Sequence, residues 1–392
     1  MCCHTVYRSF RQARHLQEAW DDLARRVGAD IFSTFDWCEI WWRYYGADRE
    51  LEIQTFWQDG RLIGIVPLFY ERLALGPVTV RTVRLLGADH STTSCGVAVA
   101  PASVARIMNM LTKKLLSERR LDLMLFGPLP GYSRLGEALV AALDSMRDRM
   151  WSESVSRANH MVFSLPSTFD SYGKKLSKKE RSNIRRDRRD LEHAGIVRHH
   201  VFTRQSDMPA ALDAFISLHQ TQWRSKGSLG HFRDWPAAEG FHREMVNRQS
   251  QRGRVCLTQL CVNRRVVAGQ YCYRFGARAH WILSARRNGV GGRTAFDEMI
   301  RFLISGGVRQ LDASAGLYDY KQRLGAEIVP TLWVLAGPHA WTRSQRVRLA
   351  RSVAWLVDRA YYRFWYSRLA RRMPCVRRPL WESWIRSHSL AP

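Results

Sequence analysis

Within ten residues the chain places a carboxylate, two phenols and an amine: Asp312, Tyr318, Tyr320 and Lys321. Such a set can take a proton from a nucleophile, return one to a leaving group and hold an anion. Just upstream stands Asn288-Gly289-Val290-Gly291-Gly292-Arg293-Thr294, where a helical pattern begins. Phe296, Met299, Ile300 and Leu303 follow at i, i+3, i+4 and i+7, and Gly306-Gly307 end the run as C-cap glycines do. A glycine turn that opens a helix aims free N–H groups and the positive helix end at an anion, usually a phosphate. His219 and Trp223 form a second polar pair, one helical turn apart.

Spacing narrows the kind of anion. A dinucleotide turn needs G-x-G-x-x-G, and Arg286-x-x-Gly289-x-Gly291 has another rhythm, although Asp312 sits about 20 residues on, as a ribose carboxylate would. A P-loop needs a lysine before its Ser/Thr, and none precedes Thr294. The form that fits is [RQ]-x-x-G-x-[GA], and here the chain resembles the acyl-CoA pyrophosphate loop of the GNAT acyltransferases. Other blocks resemble one branch, the CelD/BioF-like acetyltransferases, relatives of the Fem-type aminoacyl transferases. They are Ser33-Thr-Phe-Asp-Trp37 with Trp41-Trp42, Leu85-Leu-Gly-Ala-Asp-His90, Lys178-Lys-Glu-Arg-Ser-Asn-Ile-Arg-Arg186, Phe215-Ile-Ser-Leu-His219 with Trp223, and Asp312 with Tyr320-Lys321. They fall in the family's order between residues 30 and 330. The glycine loop departs: the family often has S-P-G-x-x-L where this chain has Asn288-Gly-Val-Gly-Gly-Arg293.

The resemblance implies roles. A backbone N–H near Leu283, Ser284 or Ala285 would stabilise the oxyanion of an acyl transfer. The N–H groups of Asn288 to Thr294, with the Arg293 charge and the Thr294 hydroxyl, would hold the pyrophosphate of acetyl-CoA or another acyl-CoA. Asp312 would orient or deprotonate an amine acceptor. Tyr320 or Tyr318 would protonate the leaving thiolate, Lys321 would bind an anionic group, and His219 and Trp223 would line the acceptor pocket.

These residues need a scaffold. Strand-like runs at His280–Ala285 and Val308–Leu311 flank the loop and helix. A hairpin pattern at Val255–Phe275 turns at Asn263-Arg264, and a matching one at Leu51–Tyr70 turns at Asp59-Gly60, about 200 residues earlier. Further strands, a helix (104–116) and a short strand (121–126) complete the first copy. At its helix start stands Ala100-Pro-Ala-Ser103, which offers no glycine cradle. That half is therefore expected to shape substrate access without catalysing, and residues 1–50 read as helical and aromatic. The expected fold is α/β (α+β): tandem GNAT-like domains at 1–165 and 166–338, each a mixed, mostly antiparallel twisted sheet flanked by helices. A C-terminal basic helix follows at 339–392.

Composition sets outer bounds. A 392-residue chain with 46% hydrophobic residues and 15 Trp can bury two cores, which excludes disorder. The net charge of +26 calls for an anionic partner: phosphorylated ligand, nucleic acid or membrane surface. Residues 174–190 hold nine Lys/Arg against three acids, over a thin apolar seam of Leu176, Ile184 and Leu191. Residues 339–392 hold twelve Arg and two acids, with apolar residues on one helix face. That tail reads either as docked on the protein's own body or as peripheral to an anionic inner membrane. Eight scattered Cys read as buried thiols of a cytoplasmic protein, and no metal is expected. No leader pattern and no uncharged apolar run of spanning length stands in the sequence.

The resulting expectation is an N-acyltransferase that moves an acyl group from acyl-CoA to an amine of a sugar, peptide or lipid precursor, in polysaccharide or cell-envelope metabolism. A Fem-like transferase using aminoacyl-tRNA is the alternative enzyme. A basic RNA- or membrane-binding protein on a GNAT scaffold is the non-enzymatic alternative.

Overall fold

Two tight turns initiate the sheets. Asp59 and Gly60 (φ 48° and 75°), and likewise Asn263 and Arg264 (φ 49° and 66°), adopt the left-handed pair that matches strand twist in a two-residue hairpin. The computed structural model describes residues 2–90, 93–118, 121–287, 289–369 and 378–391. Its strands are β1 (Cys2–Tyr7), β2 (Glu50–Gln58), β3 (Arg61–Leu75), β4 (Val78–Leu85), β5 (Ala98–Val99), β6 (Leu123–Pro130) and β7 (Met150–Ser164). There follow β8 (Val197–Phe202), β9 (Val255–Val262), β10 (Arg265–Phe275), β11 (Arg278–Arg286), β12 (Gln310–Ala315) and β13 (Ala326–Pro338). Contacts divide the chain into one unit of Met1–Ala158 with Val329–Pro392 and another of Asn159–Ile328.

In the first unit the strands lie in the order β1-β2-β3-β4-β6, with β5 beside β3. Among the described pairings there, β4 and β6 run parallel, and residues 331–336 of β13 add an antiparallel neighbour to β6. The expected helical start is instead strand β1, because the edge of β2 takes it up with His4 stacked on Phe56. One face of the sheet packs Val66, Val83, Leu85 and Phe126 against Ile107, Leu111 and Leu115 of the helix Val104–Glu118. The other face packs Val80, Leu125, Trp333 and Leu335 against Val347, Ala350 and Ala354 of the helix Trp341–Arg359. The tail thus docks on its own unit through one face.

The second unit repeats the plan as β8-β9-β10-β11-β12, with residues 160–164 of β7 antiparallel to β12. Here β11 and β12 form the parallel pair. The helix Gly292–Ser305 buries Phe296, Met299, Ile300 and Leu303 on this sheet, as their spacing requires. Asp312, expected at a strand end, sits inside β12: its pairing to β11 stops at Asp312, but pairing to β7 carries the strand on to Ala315. The basic helix Lys178–Ala194 buries Ile184 and Leu191, and Ser177 caps it by accepting the Glu180 N–H at 3.1 Å. Its acids Glu180 and Asp187 reach toward the helix Gly292–Ser305, while Lys178, Lys179, Arg185, Arg186 and Arg189 stay exposed.

Candidate active site

The parallel pairing of β11 with β12 runs from Arg278/Gln310 to His280/Asp312, and beyond it the strands part. β11 stays with β10 through a bulge at Ile282, which shifts the register between Tyr271 and Cys272. β12 turns aside at Ser314, whose φ of 63° is unusual for a residue with a side chain. Two bonds fix that turn: the Ser314 N–H donates to Asp312 Oδ1 (2.8 Å) and its hydroxyl to the Trp281 carbonyl (3.1 Å).

The wedge between the strands holds a cavity of about 610 Å³. Trp281 to Arg286 of β11 and Ala313 to Ala315 of β12 line it, with His219, Gln222, Trp223 and Gln270 behind and Tyr318, Tyr320, Lys321 and Leu324 across. Its charged residues are Lys226, Arg286, Arg293, Lys321 and Arg323 against the single carboxylate of Glu180. Such a lining suits an anionic ligand. A larger open trough on the first unit, about 1140 Å³ and lined by Phe56, Met110, Lys113 and Arg149 among others, holds none of the expected site residues.

The sequence-expected residues divide into three groups. Leu283, Ser284, Ala285, His219, Trp223, Tyr320 and Lys321 all line the cavity. Lys321 is buried; its ammonium donates to the Ala313 carbonyl (2.6 Å) and lies over the Trp281 and Tyr318 rings. Burial pushes its pKa down to about 8, against the pull of Asp312. Burial pushes the half-buried Tyr320 phenol up to about 12, with Tyr318 adding to the shift. His219 accepts the Trp223 indole N–H on Nε2 (2.9 Å), and burial pushes its pKa down to about 4. The ring is therefore neutral near pH 7, with its proton on Nδ1.

Asp312 belongs to a second group, which supports the wall. Its carboxylate is buried, bonded to His160 Nδ1 (2.9 Å) and to the Ser314 N–H, and it is not among the cavity-lining residues. Burial works against its charge, but His280 and His160 beside it outweigh that and hold the pKa at about 2. With one oxygen bonded to His160 and the other to the Ser314 N–H, the carboxylate that was expected to orient or deprotonate an acceptor stands behind the cavity wall.

The glycine loop is the third group. Asn288 lies outside the described residues. Gly289 (φ 77°) has open space where a Cβ would stand, and Val290 is exposed. At Gly291 (φ 71°) a Cβ would meet Leu260 at 2.9 Å and Leu191 at 3.5 Å, so its Cα faces apolar core. Gly292 packs against the Arg286 side chain. Arg293 donates from Nε to Glu180 (2.8 Å). Thr294 is buried, and both its N–H (2.9 Å) and its hydroxyl (2.8 Å) go to the Asp187 carboxylate. The expected phosphate ligand Thr294 is thus already paired with an anion of the protein itself.

Sequence reasoning assigned no role to Asp187, Glu180, Gln270 and His160. Their roles depend on contacts that are distant in sequence, such as the 107 residues between Asp187 and Thr294. The only available signal was the acids embedded in the basic helix.

Residues 178–322 match the family described as acetyltransferase (GNAT) domain. No curated protein matches the sequence. Among solved structures, FemX superposes with a TM-score of 0.58 at 9% identity, over 81% of this chain and 95% of its own. The C-terminal domain (DUF2156) of a putative lysylphosphatidylglycerol synthetase from Agrobacterium fabrum gives 0.51 at 9% identity, over 87% and 96%. A conserved protein of unknown function from Bacteroides thetaiotaomicron VPI-5482 gives 0.51 at 9% identity, over 86% and 100%. At such identity these likenesses speak to fold alone.

Proposed function

Since residues 178–322 match an acetyltransferase (GNAT) domain and the fold resembles that of FemX, we propose that the second unit transfers an acyl group to an amine, and that the donor is an aminoacylated RNA rather than acyl-CoA. The observation that carries this is the Asp187 carboxylate on the first turn of the helix Gly292–Ser305. A pyrophosphate seated there would meet a fixed negative charge where the GNAT loop ordinarily offers only N–H groups. The exposed cations of the helix Lys178–Ala194 and the cationic cavity lining give an RNA backbone and its acceptor end a matching surface.

In this reading the acceptor amine attacks the ester carbonyl inside the wedge. The Lys321 ammonium and a β11 N–H near Leu283 to Ala285 face the developing oxyanion. The carbon–oxygen bond to the ribose breaks as the Tyr320 phenol gives its proton to the leaving oxygen. The proton shed by the amine then restores the phenol. Asp312 positions the wall through His160 and Ser314 and moves no proton. The acceptor is an amine-bearing precursor of polysaccharide or cell envelope, on the family resemblance, and a donor of this kind is met in the cytoplasm.

The acyl-CoA reading keeps one observation in its favour, the open left-handed turn at Gly289. Titration with CoA, acetyl-CoA and aminoacyl-tRNA at low and about 0.5 M salt separates the two. The expected result is no salt-resistant CoA binding, tRNA binding, and release of the amino acid to an added amine. Asp187→Asn should raise CoA affinity by up to about fivefold. Micromolar CoA binding by the unaltered chain at high salt would reinstate acyl-CoA as donor.

A further inference from the structure

The helix Trp341–Arg359 and its continuation through Ala360–Leu369 carry apolar residues on two faces. Val347, Ala350 and Ala354 form the buried face, packed on the first unit's sheet. At 100° per residue, Trp341, Leu349 and Leu356 fall on a stripe roughly opposite to it. Among the described residues none covers that stripe: Trp341 is 73% exposed, Leu349 52% and Leu356 57%, and Phe364 in the continuation is 56% exposed. From Trp341 to Leu356 it spans about 22 Å along the helix.

The charges beside the stripe have one sign. Arg348, Arg359 and Arg368 are exposed. Arg346 and Arg351, by contrast, are tied to Asp122 and Glu153 of the first unit's body. The segment's one carboxylate, Asp358, accepts the Trp384 indole N–H at 2.8 Å. A row of Trp, Leu, Leu and Phe edged by unopposed arginines is complementary to a surface that is apolar below and anionic above. A nucleic acid would use the arginines but leave the leucines in water, and an acidic protein would need its own apolar ridge.

We infer that this outer stripe seats the first unit on an anionic lipid bilayer, with the helix lying along the interface while its inner face stays docked. The inference is independent of the donor assignment above. It also accounts for both sequence readings of the tail, one on each face of the same helix.

The test uses the full chain with sedimenting vesicles. Binding should be strong to vesicles of phosphatidylglycerol mixed with phosphatidylcholine and should vanish on phosphatidylcholine alone. Leu349→Glu with Leu356→Glu should weaken binding at least tenfold per leucine, roughly, with an unchanged thermal melt because both side chains are solvent-exposed. Arg348→Ala should weaken it about fivefold, and salt should do likewise. The inference falls if the unaltered chain ignores anionic vesicles, or if the double leucine variant binds them as well as the parent. It falls too if the variant instead dissolves a concentration-dependent dimer seen by light scattering, which would make the stripe a contact between copies.

Discussion

The two units share one strand plan and differ at the point where the parallel strands end. In the second unit the last pair is His280 with Asp312, and the wedge beyond it holds about 610 Å³ edged with cations. In the first unit the last pair is Arg84 with Leu125. Beyond it Val66, Leu85, Val97, Met108, Leu111, Phe126 and Leu129 leave a void of about 10 Å³, about the room of one water. Arg84 instead joins a buried network: it bonds Glu71 (2.9 Å) and approaches Asp89 (3.4 Å), while Arg49 reaches Glu71 (3.0 Å) and Asp89 (2.6 Å). A wedge filled with side chains stabilises, and a wedge left open can bind. The same topology serves either end, and the residues at the splay decide which. On this basis we propose that the first unit is non-catalytic.

The largest effect should come from the filled side. Arg84→Met leaves Glu71 and Asp89 short of a buried partner and should cost about 3–5 kcal/mol, read as a lower melting temperature. If that variant instead melts like the parent but loses transfer activity, the first unit takes part in the chemistry and the comparison fails. Next, Lys321→Met on the open side should lower kcat about 100-fold with little change in melting. The parent's rate should fall as pH rises through about 8, where the ammonium deprotonates. A flat pH profile there would remove Lys321 from the oxyanion role.

The smallest effect concerns the wall. Asp312 is held near 2, below the usual value of about 3.9 for an unfolded chain, so its charge adds stability above pH 4 that drains away as pH falls toward 2. Asp312→Asn should therefore melt lower by about 2 kcal/mol at pH 7, with the gap to the parent closing by pH 2. A gap that persists undiminished at pH 2 would show that shape, not charge, is what Asp312 contributes.

Much of the scaffold was legible in advance because its signals are local. Asp59-Gly60 and Asn263-Arg264 announced hairpins, and the 296–303 spacing announced the helix that faces the site. The glycine loop was legible as a loop but not as to its contents. What fills the helix end is Asp187, which sits among arginines in a segment whose surplus charge pointed outward. Asp312 was legible as a residue near the site but not in its surroundings, since its burial and the His160 partner from β7 depend on strand pairing that no short window reveals. Lys321 is the opposite case: its position beside Tyr320 was visible, but the burial that depresses its pKa was not.

The pairing of residues 331–336 with β6 also bears on how the protein is made. β6 is translated about 200 residues before that partner, an interval of roughly 10–40 s at about 5–20 residues per second. The second unit, contiguous in sequence, can complete itself during that wait. The first unit meanwhile presents an unclosed apolar edge to the ribosome's surroundings, so chaperone demand should peak on nascent chains between residues 160 and 330 and drop once β13 emerges.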